Sequence, residues 1–242
     1  MTDNKNVSLL LIGSGRLARH LQHYFHLEGI AFSQWDRHQD PHLLRTRITA
    51  ASHVLLAITD SALEGFYQKH LAGLDKKVVH FSGASNIENV PCAHPLMTFG
   101  ADLYEHSFYQ QISFILSGAN NLTELLPGLK NSSFVLPEEK KSLYHAYCVL
   151  GGNLTFALHL KALEGLQKLG IPETAVAPYL QQSLKNALSG DWSNWSGPIL
   201  RKDQQTIDKN IESLKSENMD HIYKAFVQTF NSEKIPQAKG LL

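Results

Sequence analysis

Four apolar residues, Leu9-Leu10-Leu11-Ile12, run directly into Gly13-Ser14-Gly15-Arg16-Leu17-Ala18. A strand buried on both faces reads as such a continuous apolar run. The period then changes. Leu17, Leu21, Tyr24 and Phe25 fall at i, i+4, i+7 and i+8, which predicts a helix that Gly29 stops. Ile30 to Trp35 predicts a second strand, ending at Asp36. Further buried-strand runs follow at Val54–Ile58 and Lys77–Phe81, with a helix over Ser61–Lys69 between them. Ile112–Leu116 and Ser133–Leu136 predict later strands, again with a helix between. Strands alternating with helices predict an α/β, Rossmann-type, doubly wound and mostly parallel sheet.

Near Pro137 the texture changes, and the remainder predicts helices only. Leu143, Tyr147, Leu150, Leu154, Ala157 and Leu158 make one long apolar stripe. A helix starting at Ile171-Pro172 runs to Leu188, and a polar, aromatic loop follows over Gly190–Pro198. Two more helices fit Asp203–Lys215 and Met219–Phe230. The expected organisation is a dinucleotide-binding domain over 1–137 and an all-helical C-terminal domain over 138–242.

Composition narrows the function classes. The 242 residues are 43% hydrophobic and 18% charged, ordinary for globular chains. Lys+Arg and Asp+Glu balance at 22 each, so no basic surplus points to nucleic acid or an anionic membrane. No apolar run approaches the roughly 20 residues that span a bilayer. The polar start Met1–Asn6 is unlike a signal peptide. Cys92 and Cys148 lack metal spacing and read as reduced thiols of a cytoplasmic protein. His20, His23 and His26, like His38 and His42, lack an acid–histidine or cysteine signature. They read as solvated surface groups, and no metal is expected.

The candidate chemistry begins at the glycines. Gly13 permits a tight turn, Gly15 lets backbone approach a pyrophosphate, and Ala18 allows close helix–strand packing. The N–H groups opening the helix, from Ser14 to Leu17, then face the phosphates. Arg16, a cation opposing the helix dipole, is compensated by a bound phosphate. Asp36 stands where a ribose 2′-hydroxyl is held, which favours NAD, and Arg37 beside it can hold a 2′-phosphate, which favours NADP. Both cofactors stay open. Thr59-Asp60 and Ser82-Gly83 follow strand ends, where ligands of open α/β sheets bind. Thr59-Asp60 reads equally as a helix N-cap. Gly83 reads as a place where backbone approaches the nicotinamide. His94, in a loop, reads as a general acid, an anion ligand or a structural imidazole. His145, Val149 and Asn153 repeat every four residues on one helix face. Gly151-Gly152 is costly in a helix and signals close packing against a ligand or a partner helix. Arg201 suits an anionic substrate group or a salt bridge, and Asp203 a helix start.

These segments resemble the Rossmann-like proteins that carry a DUF2520 C-terminal domain, often labelled NADP or F420-dependent oxidoreductase-like. Those proteins are relatives of the 6-phosphogluconate and β-hydroxyacid dehydrogenase superfamily. Four places carry the resemblance: Gly13–Ala18; His80-Phe81-Ser82-Gly83-Ala84 with Ala93-His94-Pro95-Leu96-Met97-Thr98-Phe99; Leu143-Tyr144-His145-Ala146 with Asn153; and Ser196–Asp203. The family's usual Ala-Ser-Asn is Gly151-Gly152-Asn153 here, and its Arg-Gly-Asp is Arg201-Lys202-Asp203. The resemblance implies a nicotinamide-binding N-domain, a helical C-domain that forms homodimers, and a substrate cleft between them. The wider superfamily places a catalytic Lys one turn before an Asn on the first long interdomain helix. With Asn153 as that Asn, Val149 occupies the lysine position.

The expected function is an NAD(P)-dependent oxidoreductase for a small carbonyl, hydroxyl or imine substrate. His94, His145 and Asn153 are its catalytic candidates and Arg201 its substrate anchor. The alternative is an NAD(P)-binding sensor or dimeric scaffold without turnover, which Val149 favours.

Overall fold

The structure is a computed structural model and describes residues 7–230. Contacts divide the chain into two units, residues 1–156 and residues 157–242.

The first unit is built on seven strands: β1 (Leu9–Ile12), β2 (Phe32–Trp35), β3 (His53–Leu56), β4 (Lys77–His80), β5 (Cys92–Pro95), β6 (Phe114–Ser117) and β7 (Ser133–Val135). Their order is β2-β1-β3-β4-β5-β6-β7. All neighbours pair in parallel except β5 and β6, where Ala93 faces Leu116 in an antiparallel register. Six helices belong to this unit: α1 (Arg16–Leu27), α2 (Pro41–Ala50), α3 (Asp60–His70), α4 (His106–Tyr109), α5 (Leu122–Leu125) and α6 (Lys141–Cys148).

Strand alternation splits the core into two layers. Leu9 and Leu11 join Leu55, Val79 and Ala93 beneath Leu21, Tyr24 and Phe25 of α1. Leu10 and Ile12 join Val54, Leu56 and Val78 beneath Leu44, Ile48 and Leu63 of α2 and α3. Both faces are therefore covered, as a doubly wound parallel sheet requires. The chain leaves β1 for β2 on one side and returns to β3 on the other. The turn after β1 thus lies at the topological switch point.

Two glycines bound α1. Gly13, with φ +132°, opens the turn, and a Cβ there would lie 2.2 Å from the Ala57 carbonyl oxygen. Gly29, with φ +67°, closes the helix, and the next N–H, of Ile30, bonds back to the Phe25 carbonyl at 2.8 Å. His20 departs from the surface reading of the histidines. Its ring is buried in α1, with Nδ1 2.7 Å from the Tyr109 hydroxyl and Nε2 3.2 Å from the Gly100 carbonyl. Its positions i+1, i+4 and i+5 are apolar core residues, so it shares their face.

Past α6 the helix widens into a π segment, Val149–Leu154, and continues as α7 (Thr155–Lys168). The Thr155 hydroxyl donates to the Leu150 carbonyl five residues back at 2.9 Å, in step with i→i+5 bonding. The second unit holds most of α7 together with α8 (Glu173–Leu188), α9 (Gln204–Leu214) and α10 (Asp220–Thr229). Asp203 caps α9, accepting from the Thr206 N–H at 3.1 Å. Among the described residues, no helix is long and apolar enough to cross a membrane.

The two glycines of the turn differ in what a methyl group would meet. Gly13→Ala strains a left-handed backbone and strikes a carbonyl, at a cost of about 3 kcal/mol, so calorimetry should show Tm lowered by roughly 6–12 °C. Gly15 has φ −68° and nothing within 4 Å of an added Cβ, so Gly15→Ala should leave Tm almost unchanged.

Candidate active site

The carboxyl ends of β1 to β5 meet one edge of the sheet. Along it lie the Gly13–Ala18 turn, Thr59-Asp60 after β3, Ser82-Gly83 after β4, and His94-Pro95. His94 is within β5 and not in a loop, paired opposite Ile115 of β6. The short run Cys92-Ala93-His94-Pro95, with its histidine and proline, carries little strand signal, and pairing with Phe114–Ser117 is what makes it a strand.

The dinucleotide-type turn is open. Ser14, Gly15 and Arg16 are exposed, Leu17 is half-buried, and Ala18 is fully buried against the sheet. Gly15 is the N-cap of α1, no side chain caps the helix, and its first turn holds no acid. Its N-terminal N–H groups and the positive end of its dipole therefore face outward without a protein partner of opposite charge. Gln34 donates to the Gly13 carbonyl at 2.7 Å and fixes the turn from β2. Asp36 is half-buried at the end of β2, with one carboxylate oxygen accepting from the His38 N–H at 2.8 Å. Arg37 is exposed beside it. Thr59 is the N-cap residue of α3 by position, yet its side chain makes no capping bond; its hydroxyl lies 3.3 Å from that of Ser61.

The turn after β4 is internally tied. The Ser82 hydroxyl accepts from the N–H groups of Ala84 and Ser85 at 3.2 and 2.8 Å, and so shapes backbone. Gly83 makes a close approach, but to protein. A Cβ there would lie 2.8 Å from His145 Cδ2 and 2.9 Å from His94 Nε2. The missing side chain is the space into which two imidazoles fit, their ring centres 6.5 Å apart.

α6 supplies the other wall and inverts the usual rule. Its apolar residues Leu143 and Tyr147 are 60% and 65% exposed, while Lys141 is buried and Tyr144, His145 and Cys148 are half-buried. Lys141, Tyr144, His145 and Cys148 fall at i, i+3, i+4 and i+7, one face of the helix. The Lys141 ammonium donates to the Ser85 carbonyl at 2.5 Å, and no carboxylate lies within 4 Å of it among the described residues. The Tyr144 hydroxyl meets His94 Nδ1 at 2.7 Å.

Electrostatics follow from this packing. Burial, then the His145 ring and the Lys141 ammonium, depress His94 to about 4 against the pull of Asp60. Burial and the same ammonium depress His80 to about 3. Burial, then the adjacent Cys148 thiol, pushes the Tyr144 phenol well above its usual range. Burial raises the Cys92 thiol to about 11, so it is protonated. Near neutral pH His94 and His80 are thus neutral imidazoles and Tyr144 is a neutral phenol.

Sequence reasoning brought out His94, His145 and Gly83, which the structure gathers, but missed Lys141, Tyr144 and the neutral His80. For Lys141 and Tyr144 the signal was the polar i, i+3, i+4, i+7 face of α6, opposite its exposed apolar residues; His80, on β4, carried none. Asn153 is not brought in. It lies in the π segment that follows α6, and its side chain is exposed. Close packing at the glycine pair falls on Gly152 alone, where a Cβ would lie 3.4 Å from Thr98 Cγ2. Arg201 is exposed in the second unit, just before α9, with no salt bridge among the described residues. No group of three or more potential ligands that could hold a metal ion occurs among the described residues.

Residues 117–230 match the family model of Domain of unknown function (DUF2520). No curated protein matches the chain. Solved structures do. A Bacteroides fragilis protein assigned as an NADP oxidoreductase aligns with TM-score 0.75 at 18% identity, covering 94% of this chain and 98% of that one. An Aspergillus terreus reductive aminase, in complex with NADPH and ethyl levulinate, aligns with TM-score 0.65 at 14% identity, covering 93% and 95%. A Streptomyces aurantiacus imine reductase aligns with TM-score 0.64 at 14% identity, covering 92% and 93%. At these identities the likeness is one of fold: a Rossmann-type sheet followed by a helical C-terminal region.

The depressed histidines give acid sensitivity a sign. The unfolded imidazole takes its proton near pH 6.5, whereas folded His94 and His80 do so only near 4 and 3. Stability is therefore full above about 6.5 and falls as pH drops toward 4. Urea unfolding midpoints from pH 7.5 to 5 should fall in the wild type and fall less in His94→Asn. Equal falls in both would remove His94 from this account.

Proposed function

We propose that the chain is an NAD(P)-dependent oxidoreductase for a small carbonyl, hydroxyl or imine compound. The observation that carries this reading is the open Gly13–Ala18 turn at the switch point, on the same sheet edge as His94 and His145. The solved structures that share the fold support it, since one holds NADPH and one is an imine reductase. The N–H groups opening α1, with Arg16, would hold a pyrophosphate, and Ala18 keeps the helix close to the sheet. Asp36 would hold a ribose hydroxyl and Arg37 a 2′-phosphate, so these two residues set the preference between NAD and NADP. When bound, the dinucleotide supplies the hydride chemistry. Thr59, Asp60, Ser82 and Gly83 form the rim of the site. His94 and His145 orient the substrate's polar atom and manage its proton.

Val149 favours a second reading, a nicotinamide-binding protein without turnover, because valine transfers no proton. The two readings separate in one set of measurements. NADPH or NADH at a hundredfold excess over Kd should raise Tm by roughly 5–10 °C. An enzyme should then oxidise the reduced cofactor against some member of a panel of ketones, aldehydes and cyclic imines, and His94→Ala should lose that turnover while keeping the shift. A shift without turnover selects the second reading, and no shift with either cofactor overturns both.

We further propose that the chain is a homodimer. Tyr147, Leu150 and Leu154 are 50–65% exposed at i, i+3 and i+7 of one helix, and Val176 and Ile207 are the buried apolar residues of the second unit among those described. A continuous apolar surface on a helix with so little core beside it is the mark of a partner. Sedimentation should give twice the chain mass, and Leu154→Glu should halve it.

A further inference from the structure

The hydroxyl of Tyr144 has one strong acceptor among its described contacts, His94 Nδ1 at 2.7 Å. Its other polar neighbour, the Cys148 thiol, is a weak acceptor. A phenol held protonated by burial therefore donates to Nδ1. A neutral imidazole that accepts at Nδ1 carries its hydrogen on Nε2. Nε2 makes no described hydrogen bond and faces Gly83, where a Cβ would lie 2.9 Å from it. Resting on the oxidoreductase reading, we propose that His94 is a neutral hydrogen-bond donor to substrate through Nε2, and that Tyr144 is the positioning residue that fixes its tautomer.

This role selects a substrate class. A neutral N–H polarises an acceptor atom with a free lone pair, such as a carbonyl oxygen or an unprotonated imine nitrogen. It offers nothing to a protonated iminium, which has no lone pair. The charged and titratable groups around His94 agree with the neutral form. From α6 come Lys141 and His145, which disfavour an added positive charge; from β4 comes His80, itself neutral; from α3 comes Asp60, the one group pulling the other way. Lys141 also ties down the Ser85 carbonyl and so holds the turn that presents Gly83.

Nitrogen-15 NMR of the full chain labelled at histidine reads tautomer and charge directly, and needs neither substrate nor cofactor. The His94 resonances are identified by their loss in His94→Asn. The wild type should show His94 as the neutral Nε2–H tautomer throughout pH 5–8. Tyr144→Phe should lose the single-tautomer pattern while the His80 resonances, on the neighbouring strand, stay in place. A wild-type His94 that is protonated at Nδ1, or charged at pH 7, would overturn the proposal whatever the variant does. An unchanged pattern in Tyr144→Phe would overturn the role given to Tyr144. A failure of the oxidoreductase reading shows separately, as absent turnover of the reduced cofactor against the carbonyl and imine panel.

Discussion

The absence of a side chain at Gly83 is the constraint on which the candidate site depends. Two imidazoles, one from β5 and one from α6, converge on the Cα of this residue at distances that leave no room for a methyl group. That contact brings α6 against the sheet edge, and it requires the inward face of α6 to be the polar one. Tyr144 then reaches His94, Lys141 reaches the backbone of the β4 turn, and the apolar stripe is left facing out. The buried lysine, the neutral histidines and the exposed leucines all follow from one close approach.

The site has two halves of different character on one edge. Around Gly13 the chain presents backbone: an uncapped helix start and an open glycine, suited to phosphate oxygens. Around Gly83 it presents polar side chains, of which the His94 imidazole and the Tyr144 phenol are uncharged at neutral pH, with Lys141 and Asp60 behind them. A dinucleotide with an anionic pyrophosphate and an uncharged reduced nicotinamide matches such an edge.

The sheet was legible because its strands are apolar on both faces and its glycines sit at turns that only glycine fits. β1 shows as a continuous apolar run, β3 and β4 carry apolar residues side by side at Val54–Leu56 and Val78-Val79, and Gly13 and Gly29 bracket α1. β5 was not legible: His94 and Pro95 within four residues resemble a loop, and only the antiparallel pairing with β6 makes them a strand. The burial of His20 was hidden for a similar reason, since its partners Tyr109 and Gly100 lie some 80 to 89 positions away. The site was legible in part. His94, His145 and Gly83 could be picked out as residues that carry chemistry, whereas Lys141 and Tyr144 resemble ordinary surface positions of an amphipathic helix. Helix periodicity gives two faces but not which of them turns inward. A tertiary contact decided that here, in favour of the polar face.

The most direct measurement is a crystal structure of the full chain grown with NADPH. The account predicts the pyrophosphate on the N–H groups of the Gly13–Ala18 turn and the nicotinamide on the same sheet edge, beside His94 with Tyr144 still bonded to Nδ1. A dinucleotide bound away from that edge, or a chain that takes up no dinucleotide at saturating concentration, would contradict it.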